Sequence, residues 1–472
     1  MWLLALGGFG SIAPVKHIYR TLSETMRLLT TVFIAISSAL VSPYLIAAPW
    51  IKTDDPYLQQ SIQQLANAGF IATPVNTWPL MWQPILQDLA RIDVTSLTPA
   101  QQHAYYRIQS AASFAQNTQI KTVALQGGNE PLGQQGFGSQ SQQKAMLSLG
   151  AELKGGNWTT GIYQQFRHDS FDSNRYSKND RNFDGSYGAY TAGNWVLIAA
   201  MQPQWWGPAI HSSFNFNNQQ RPTKSLQVSR LNPNLPLLDS TQWLGPVSFN
   251  MQLGSFAGTA PLRHANYLAT RLGLKPISKL ELGFSARRIA PRIEELDQTQ
   301  PYSSLLPEDD FSTVGMDVRY HLNAVSAIYA EASQQQGGNS STSWLLGSHY
   351  HLGNQAVLLR FFAEYQRIPA QYNQWLFINP GMDNAALENE WVVGTHITTP
   401  NGQAGYVKLS HSNYVDDISP SQFQRAVTLH AGYQQPLLKG LLLIDYQLQK
   451  GTLAADETDF NHKASARWEW RW

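Results

Sequence analysis

From about Lys144 onward, apolar and polar residues alternate with a period of two, in segments of roughly nine to eleven residues. Leu147, Leu149, Ala151 and Leu153 share one face of the first such segment, and Trp158, Thr160, Ile162 and Gln164 continue beyond the turn KGGN. The same phase recurs in Trp195–Met201, Val247–Leu253, Leu280–Ala286, Val314–Tyr320, Trp344–Tyr350, Val357–Tyr365, Trp391–Ile397 and Val427–Tyr433. A helix cannot bury a stripe of period two, so these segments are strands. Their length is that of a tilted strand crossing an outer membrane.

Short turns (KGGN, LKPISK, QPLLKG) alternate with long polar connections such as Asp169 to Asp184. The terminal HKASARWEWRW puts Ala464, Ala466, Trp468, Trp470 and Trp472 on one face and charges on the other. An apolar face closing on a C-terminal aromatic is how bacterial outer-membrane strands end, usually with Phe rather than Trp. A soluble β-sandwich also alternates, but it has no need for so many aromatics near strand ends. The 15 Trp, 20 Tyr and 19 Phe suit two interfacial girdles. The expected fold class is an all-β transmembrane barrel, with residues 126–472 supplying about 16–18 antiparallel strands at roughly 20 residues each. Side chains cannot fill a lumen that wide.

Residues 49–125 read differently. Asp55-Pro56 caps a helix that Gly69 ends, Thr77 opens a second with Leu80, Ile85, Leu86 and Leu89 apolar, and Thr98-Pro99 opens a third. Three short amphipathic helices bury little alone, so a periplasmic plug against the barrel mouth is expected. Upstream, Met26-Arg27, an apolar run from Leu28 to Leu40, and Ala47-Ala48 read as a cleaved secretory signal; a retained N-terminal anchor is the competing reading. Residues 1–48 are then an extension plus signal, with Met26 the expected start.

Only 14% of residues are charged, yet mean hydropathy is −0.29, so Gln, Asn, Ser, Thr and Tyr carry the polarity, as suits a wet interior. A net charge of +1 argues against a nucleic-acid partner. The absence of cysteine excludes disulfides, thiolate nucleophiles and thiolate metal sites.

The central stretch WWGPAIHSSFNFNNQQRPTKSLQVSR, with Trp205-Trp206-Gly207-Pro208, Arg221-Pro222 and Arg230, resembles the Wzi family of capsule assembly proteins, as does WLGPVSFNMQLGSF from Trp243 to Phe256. The resemblance implies an eighteen-stranded outer-membrane barrel plugged by helices. It also implies a lectin-like, non-enzymatic role in binding capsular polysaccharide and anchoring it to the cell surface. A porin or polysaccharide exit channel is the alternative, and an outer-membrane hydrolase the second.

The candidate ligand-binding residues are Trp205, Trp206, His211, Arg221, Arg230, Arg287, Arg288 and Arg292. Guanidinium groups bind uronic carboxylates bidentately, and indole rings pack on sugar C–H faces. Pairing with acids across the pore is the plainer role for each arginine. For the two tryptophans, internal packing ranks ahead of sugar contact and girdle use, because Pro203 breaks the ladder and a loop should turn into or over the barrel. No catalytic residue is expected: His211-Ser212-Ser213 lacks a nearby acid to orient the histidine. No cofactor or metal is expected either. His349 and His351 share a strand face without a third ligand, and Asp309-Asp310 and Asp416-Asp417 lack calcium-loop spacing. The expected partners are an acidic capsular polysaccharide and outer-membrane lipids, with the protein a monomer.

Overall fold

The structure is a computed structural model. It describes residues 49–472 apart from 134, 139–140, 173–174, 219–220, 257–264, 291–310, 337–339, 370–386, 415–422 and 454–457. The expected signal segment, Asp309-Asp310 and Asp416-Asp417 lie outside the described residues.

From Gln119–Gly128 to Thr458–Arg471 the strands pair antiparallel with their sequence neighbours, and the last closes on the first. Arg175–Asn182 and Tyr187–Ala192 both pair with Trp158–Asp172, one beyond the other, so they form a single interrupted stave and the barrel has eighteen. The closure is zipped to its end, since Trp472 and Lys121 exchange both backbone hydrogen bonds, at 2.8 and 3.0 Å. The first stave, Gln119–Gly128, begins before the expected boundary at 125. The connection expected between Asp169 and Asp184 is instead largely strand, as the hairpin Trp158–Asp172/Arg175–Asn182.

The apolar set read from the alternation faces outward: Leu149, Ile162, Phe284, Met316, Leu346, Phe361, Val393 and Val427 are all exposed. Their neighbours one residue away turn inward and are polar or charged, among them Arg271, Glu281, Arg319, Glu331, Arg360, Glu364 and Glu390. This is the lipid-out, polar-in pattern of an outer-membrane barrel. No helix among the described residues is long and apolar enough to cross a membrane; the crossing is made by strands. Trp468, Trp470 and Trp472 line the outer face at the end of the last stave, the latter two stacked at 4.1 Å. Short turns mark the same end, which is therefore periplasmic.

Among the described residues three α-helices precede the barrel: α1 (Pro56–Asn67), α2 (Trp82–Leu89) and α3 (Pro99–Ala115). Asp55 caps α1 by accepting from Tyr57 and Leu58 N–H, both at 2.9 Å. Thr98 and Gln101 form a reciprocal capping box on α3. The second helix departs from expectation. It starts at Trp82 rather than Thr77, because Pro79 has no N–H and disfavours helical backbone before it. Thr77–Trp78 and Leu80–Met81 are short strands instead.

Candidate functional site

The helical head occupies the lumen. Its apolar side forms a core with Ile62, Leu65, Ile71, Val75, Ile85, Ala104 and Ile108 fully buried. Its polar side meets the wall. Arg360 donates to Gln59 and Gln63 of α1 at 3.3 and 2.9 Å, Arg319 to Asn67 at 2.7 Å, and Lys275 to the Ile71 carbonyl at 2.7 Å. Arg271 donates to Thr77 Oγ1 at 2.7 Å and to the Asn76 carbonyl at 3.2 Å, and pairs with Asp317 at 2.7 Å. Cations suit this duty because the segment presents carbonyl oxygens that need donors away from bulk water.

A second insertion enters from the other end. Strand Trp195–Ala200 stops early, and the chain between Ala200 and Lys224 folds into the lumen before the next stave starts. There Trp205–Trp206 pairs antiparallel with Thr77–Trp78 of the head. Wall carboxylates receive its backbone donors: Glu364 accepts from Ile210 N–H at 2.6 Å and His211 N–H at 3.0 Å, and Glu331 accepts from Phe214 N–H at 2.8 Å. The connection after Gly128 joins it. Phe137 packs edge-on against both Trp78 and Trp205, with centroids 5.0 and 5.6 Å away. Gly136 beside it has φ +82°, and a Cβ there would stand 2.7 Å from the Ile210 carbonyl.

The expected ligand residues fall into separate places. Trp205 and Trp206 are each 1% exposed; the Trp205 indole donates to the Ala209 carbonyl at 3.0 Å and Trp206 packs on Phe216 at 4.6 Å. Packing is therefore what the tryptophans do, and neither belongs to a girdle. His211 faces Glu390 at 3.2 Å inside the lumen. Arg287 is buried, donates to the Asn215 carbonyl at 2.6 Å and lies over Phe216. Arg230 sits at the periplasmic end, where it donates to the carbonyls of Val247, at 3.1 Å, and Leu235. Arg288 is exposed on the outward face near the other end of its stave. Arg292 lies outside the described residues. His349 and His351 are buried lumen residues, with His349 within 3.1 Å of the Asn67 amide; among the described residues no group of three or more His, Cys, Asp or Glu could hold a metal ion.

Arg221 is placed differently. It lines a cavity of about 190 Å³ between the inserted loop and the wall, bonding Asp184 at 2.8 Å and Asp180 at 3.4 Å. Arg167 reaches the same Asp184 carboxylate at 3.2 Å. Deeper along this wall, Arg467 and Arg471 both bond Glu469, and Arg471 bonds Asp54 at 2.9 Å. Lys52 closes the row on Glu152 at 2.6 Å and Tyr163 at 2.7 Å. Burial alone would push the Lys52 ammonium down; the facing Tyr163 and Glu152 reverse this and hold it above the ordinary lysine range. Arg167, Arg467, Arg471 and Lys52 are not among the expected residues. A signal for two of them is present in the sequence, since the charges of ARWEWRW alternate with the tryptophans and have to face inward.

Residues 115–290 match the family described as capsule assembly protein Wzi. No curated protein matches the chain. Wzi of Escherichia coli, described as an outer membrane protein involved in group 1 capsule assembly and a carbohydrate-binding β-barrel, superposes with a TM-score of 0.72 at 18% identity, over 89% of this chain and 98% of that one. OccK3 of Pseudomonas aeruginosa aligns with a TM-score of 0.46 at 7% identity, over 75% of this chain and 94% of that one. The outer membrane channel DcaP of Acinetobacter baumannii gives 0.36 at 11% identity, over 75% and 96%.

Proposed function

We propose that this protein, a member of the Wzi family of capsule assembly proteins by its match over residues 115–290, is an outer-membrane lectin that binds capsular polysaccharide and holds it at the cell surface. The observation that carries the reading is the filling of the lumen from both ends, by the helical head and by the loop bearing Trp205 and Trp206. Among the described residues this filling from both ends supports a barrel that binds a polymer rather than exporting it. The reading assigns no bond-breaking chemistry, and His211 takes a packing role beside Glu390.

The ligand we propose is an acidic polymer, met at the outer rim of the barrel by a monomer seated in lipid through its outward apolar face. Of the expected contacts, Arg221 is retained because it lines a cavity and Arg288 for its position toward the same end; Arg292 is retained as proposed from the sequence. A uronic carboxylate would compete with Asp184 for the Arg221 guanidinium.

The test compares cells with and without the protein. Loss of cell-bound polymer with secretion intact supports tethering, and complementation with Arg221→Ala should restore less retention than wild type. Equal retention without the protein would sink the reading. So would a large resting conductance of the purified wild type in planar bilayers, which would make it a porin or exit channel.

A further inference from the structure

The lumen is not closed evenly. Over most of its section the helices and inserted loops interdigitate with apolar contacts. Among the described residues, two cavities lie along the wall of Gln119–Gly128, Gln143–Lys154 and Thr458–Arg471. The outer one, of about 190 Å³, is the Arg221 cavity. The other, of about 950 Å³, lies between α3 and the periplasmic turns around Pro400 and Lys439.

Both cavities are lined by the same short set of side chains, which includes Lys52, Asp54, Thr122, Arg467, Glu469 and Arg471. That set is therefore the partition between them, and its charged members are tied as ion pairs: Asp54 to Arg471, Arg471 to Glu469, Glu469 to Arg467. The Asp54–Arg471 pair is partly hydrated, whereas Glu469 is only 9% exposed in its side chain. The Arg471 and Asp54 side chains are 40% and 34% exposed, whereas Arg319, which donates to Asn67 of the plug, is 0% exposed. A hydrated pair is weak and exchanges readily, so the Asp54–Arg471 link is the weak point of the partition.

We infer that this seam is a latent passage for small anions, held shut by the Asp54–Arg471–Glu469–Arg467 chain of ion pairs. Selectivity follows from charge. Among the described residues the outer cavity is lined by five cations, Lys52, Arg167, Arg221, Arg467 and Arg471, against three carboxylates, Asp54, Asp184 and Glu469. Glu152 and Asp180, the partners of Lys52 and Arg221, lie outside that lining, and a groove whose lining side chains present more cations than carboxylates favours anions over cations. The size of the outer cavity suits inorganic ions; a polymer at the rim could present a single carboxylate to Arg221 but could not thread through. This inference shares the Arg221 cavity with the polysaccharide reading but needs no polymer, so either can fail without the other.

The experiment uses the full mature protein in planar lipid bilayers with a potassium chloride gradient. Wild type is expected to stay closed. Glu469→Gln removes the negative charge shared by both arginines and should produce discrete steps whose reversal potential shifts toward that of chloride. Arg471→Ala, at an exposed position that tolerates truncation, should also open the path but with weaker anion preference. Heat-modifiable migration of each variant confirms a folded barrel. Because the chain has no cysteine, Thr122→Cys added to Glu469→Gln offers a single thiol on the partition, and a methanethiosulfonate reagent should block the current. Folded Glu469→Gln and Arg471→Ala proteins that remain closed would overturn the inference. It would equally be overturned by cation selectivity, by currents that survive thiol modification, or by wild-type steps as frequent as those of the variants.

Discussion

The plug meets the rest of the molecule through two unlike surfaces. Against the inserted loops it is apolar, with Trp78, Trp205, Phe137, Ile85 and Leu65 sharing one core. Against the wall it is polar, with Arg271, Arg319, Arg360 and Lys275 reaching its carbonyls and amides. Apolar burial supplies attraction without direction, at about 25 cal/mol per Å² removed from water. The wall contacts supply direction, because a guanidinium satisfied by Gln59 and Gln63 fixes where α1 must sit. A barrel whose inner face has to stay polar can hold a plug only in this divided way.

The largest loss is expected at the apolar surface. Trp205→Ala removes a fully buried ring that joins loop and head, and should cost as much as about 5 kcal/mol, read as a lower midpoint of thermal unfolding in detergent. If the wall contacts alone set the plug's stability, that midpoint will not move.

Arg271→Met tests the polar surface. It strands Asp317, which is 1% exposed in its side chain, and should cost about 3 kcal/mol. The double variant Arg271→Met/Asp317→Leu should recover a large part of the loss, since no unpaired charge remains. A double variant no more stable than the single would mean that the contacts to Asn76 and Thr77 outweigh the ion pair.

Thr98→Ala removes half of the capping box of α3 and should cost about 1 kcal/mol, confined to faster amide exchange in the first turn of that helix. The smallest effect is expected at the seam, where Arg471→Ala should lower stability by less than about 1 kcal/mol because its pair with Asp54 is hydrated. A larger loss would place the seam with the wall contacts.

Asp88 adds a pH dependence. Burial raises its carboxyl above the ordinary aspartate range, while the Ala72 and Thr73 N–H groups and the Asn234 amide oppose the rise. A raised folded value means that the favourable contribution is present below the unfolded value and is lost as pH rises through the folded one. The unfolding midpoint of Asp88→Asn should therefore vary less with pH across that interval than that of wild type. An unchanged slope would assign the dependence to other groups.

Much of the fold is legible in the amino-acid order. The alternation from Leu147 to Trp472 is local information, because each residue's face follows from its neighbour's, and the lipid-facing set of the barrel is the set that the alternation marks. The helix starts at Asp55 and Thr98 are equally local, resting on a cap followed by proline. The start of the second helix is only partly so: Pro79 is a local signal against helix at Thr77, but the pairing of Thr77 and Trp78 with Trp206 and Trp205, well over a hundred positions downstream, is not.

The charged seam is the harder case. Arg167, Arg221, Arg467 and Arg471 come from distant parts of the chain, and nothing in any one segment announces that they line a common wall. The tryptophan pair misleads in the opposite sense. It offers a sugar platform by composition, yet its neighbours in space are Phe137, Trp78 and Phe216. Alternation alone is enough to commit this chain to a lipid-facing barrel with a polar interior, and caps alone are enough to give it a helical head. Whether that interior stays open depends on the folded molecule, because the loop from Ala200 to Lys224 has no periodicity of its own. It takes its conformation from wall carboxylates and head strands that the chain brings to it from elsewhere.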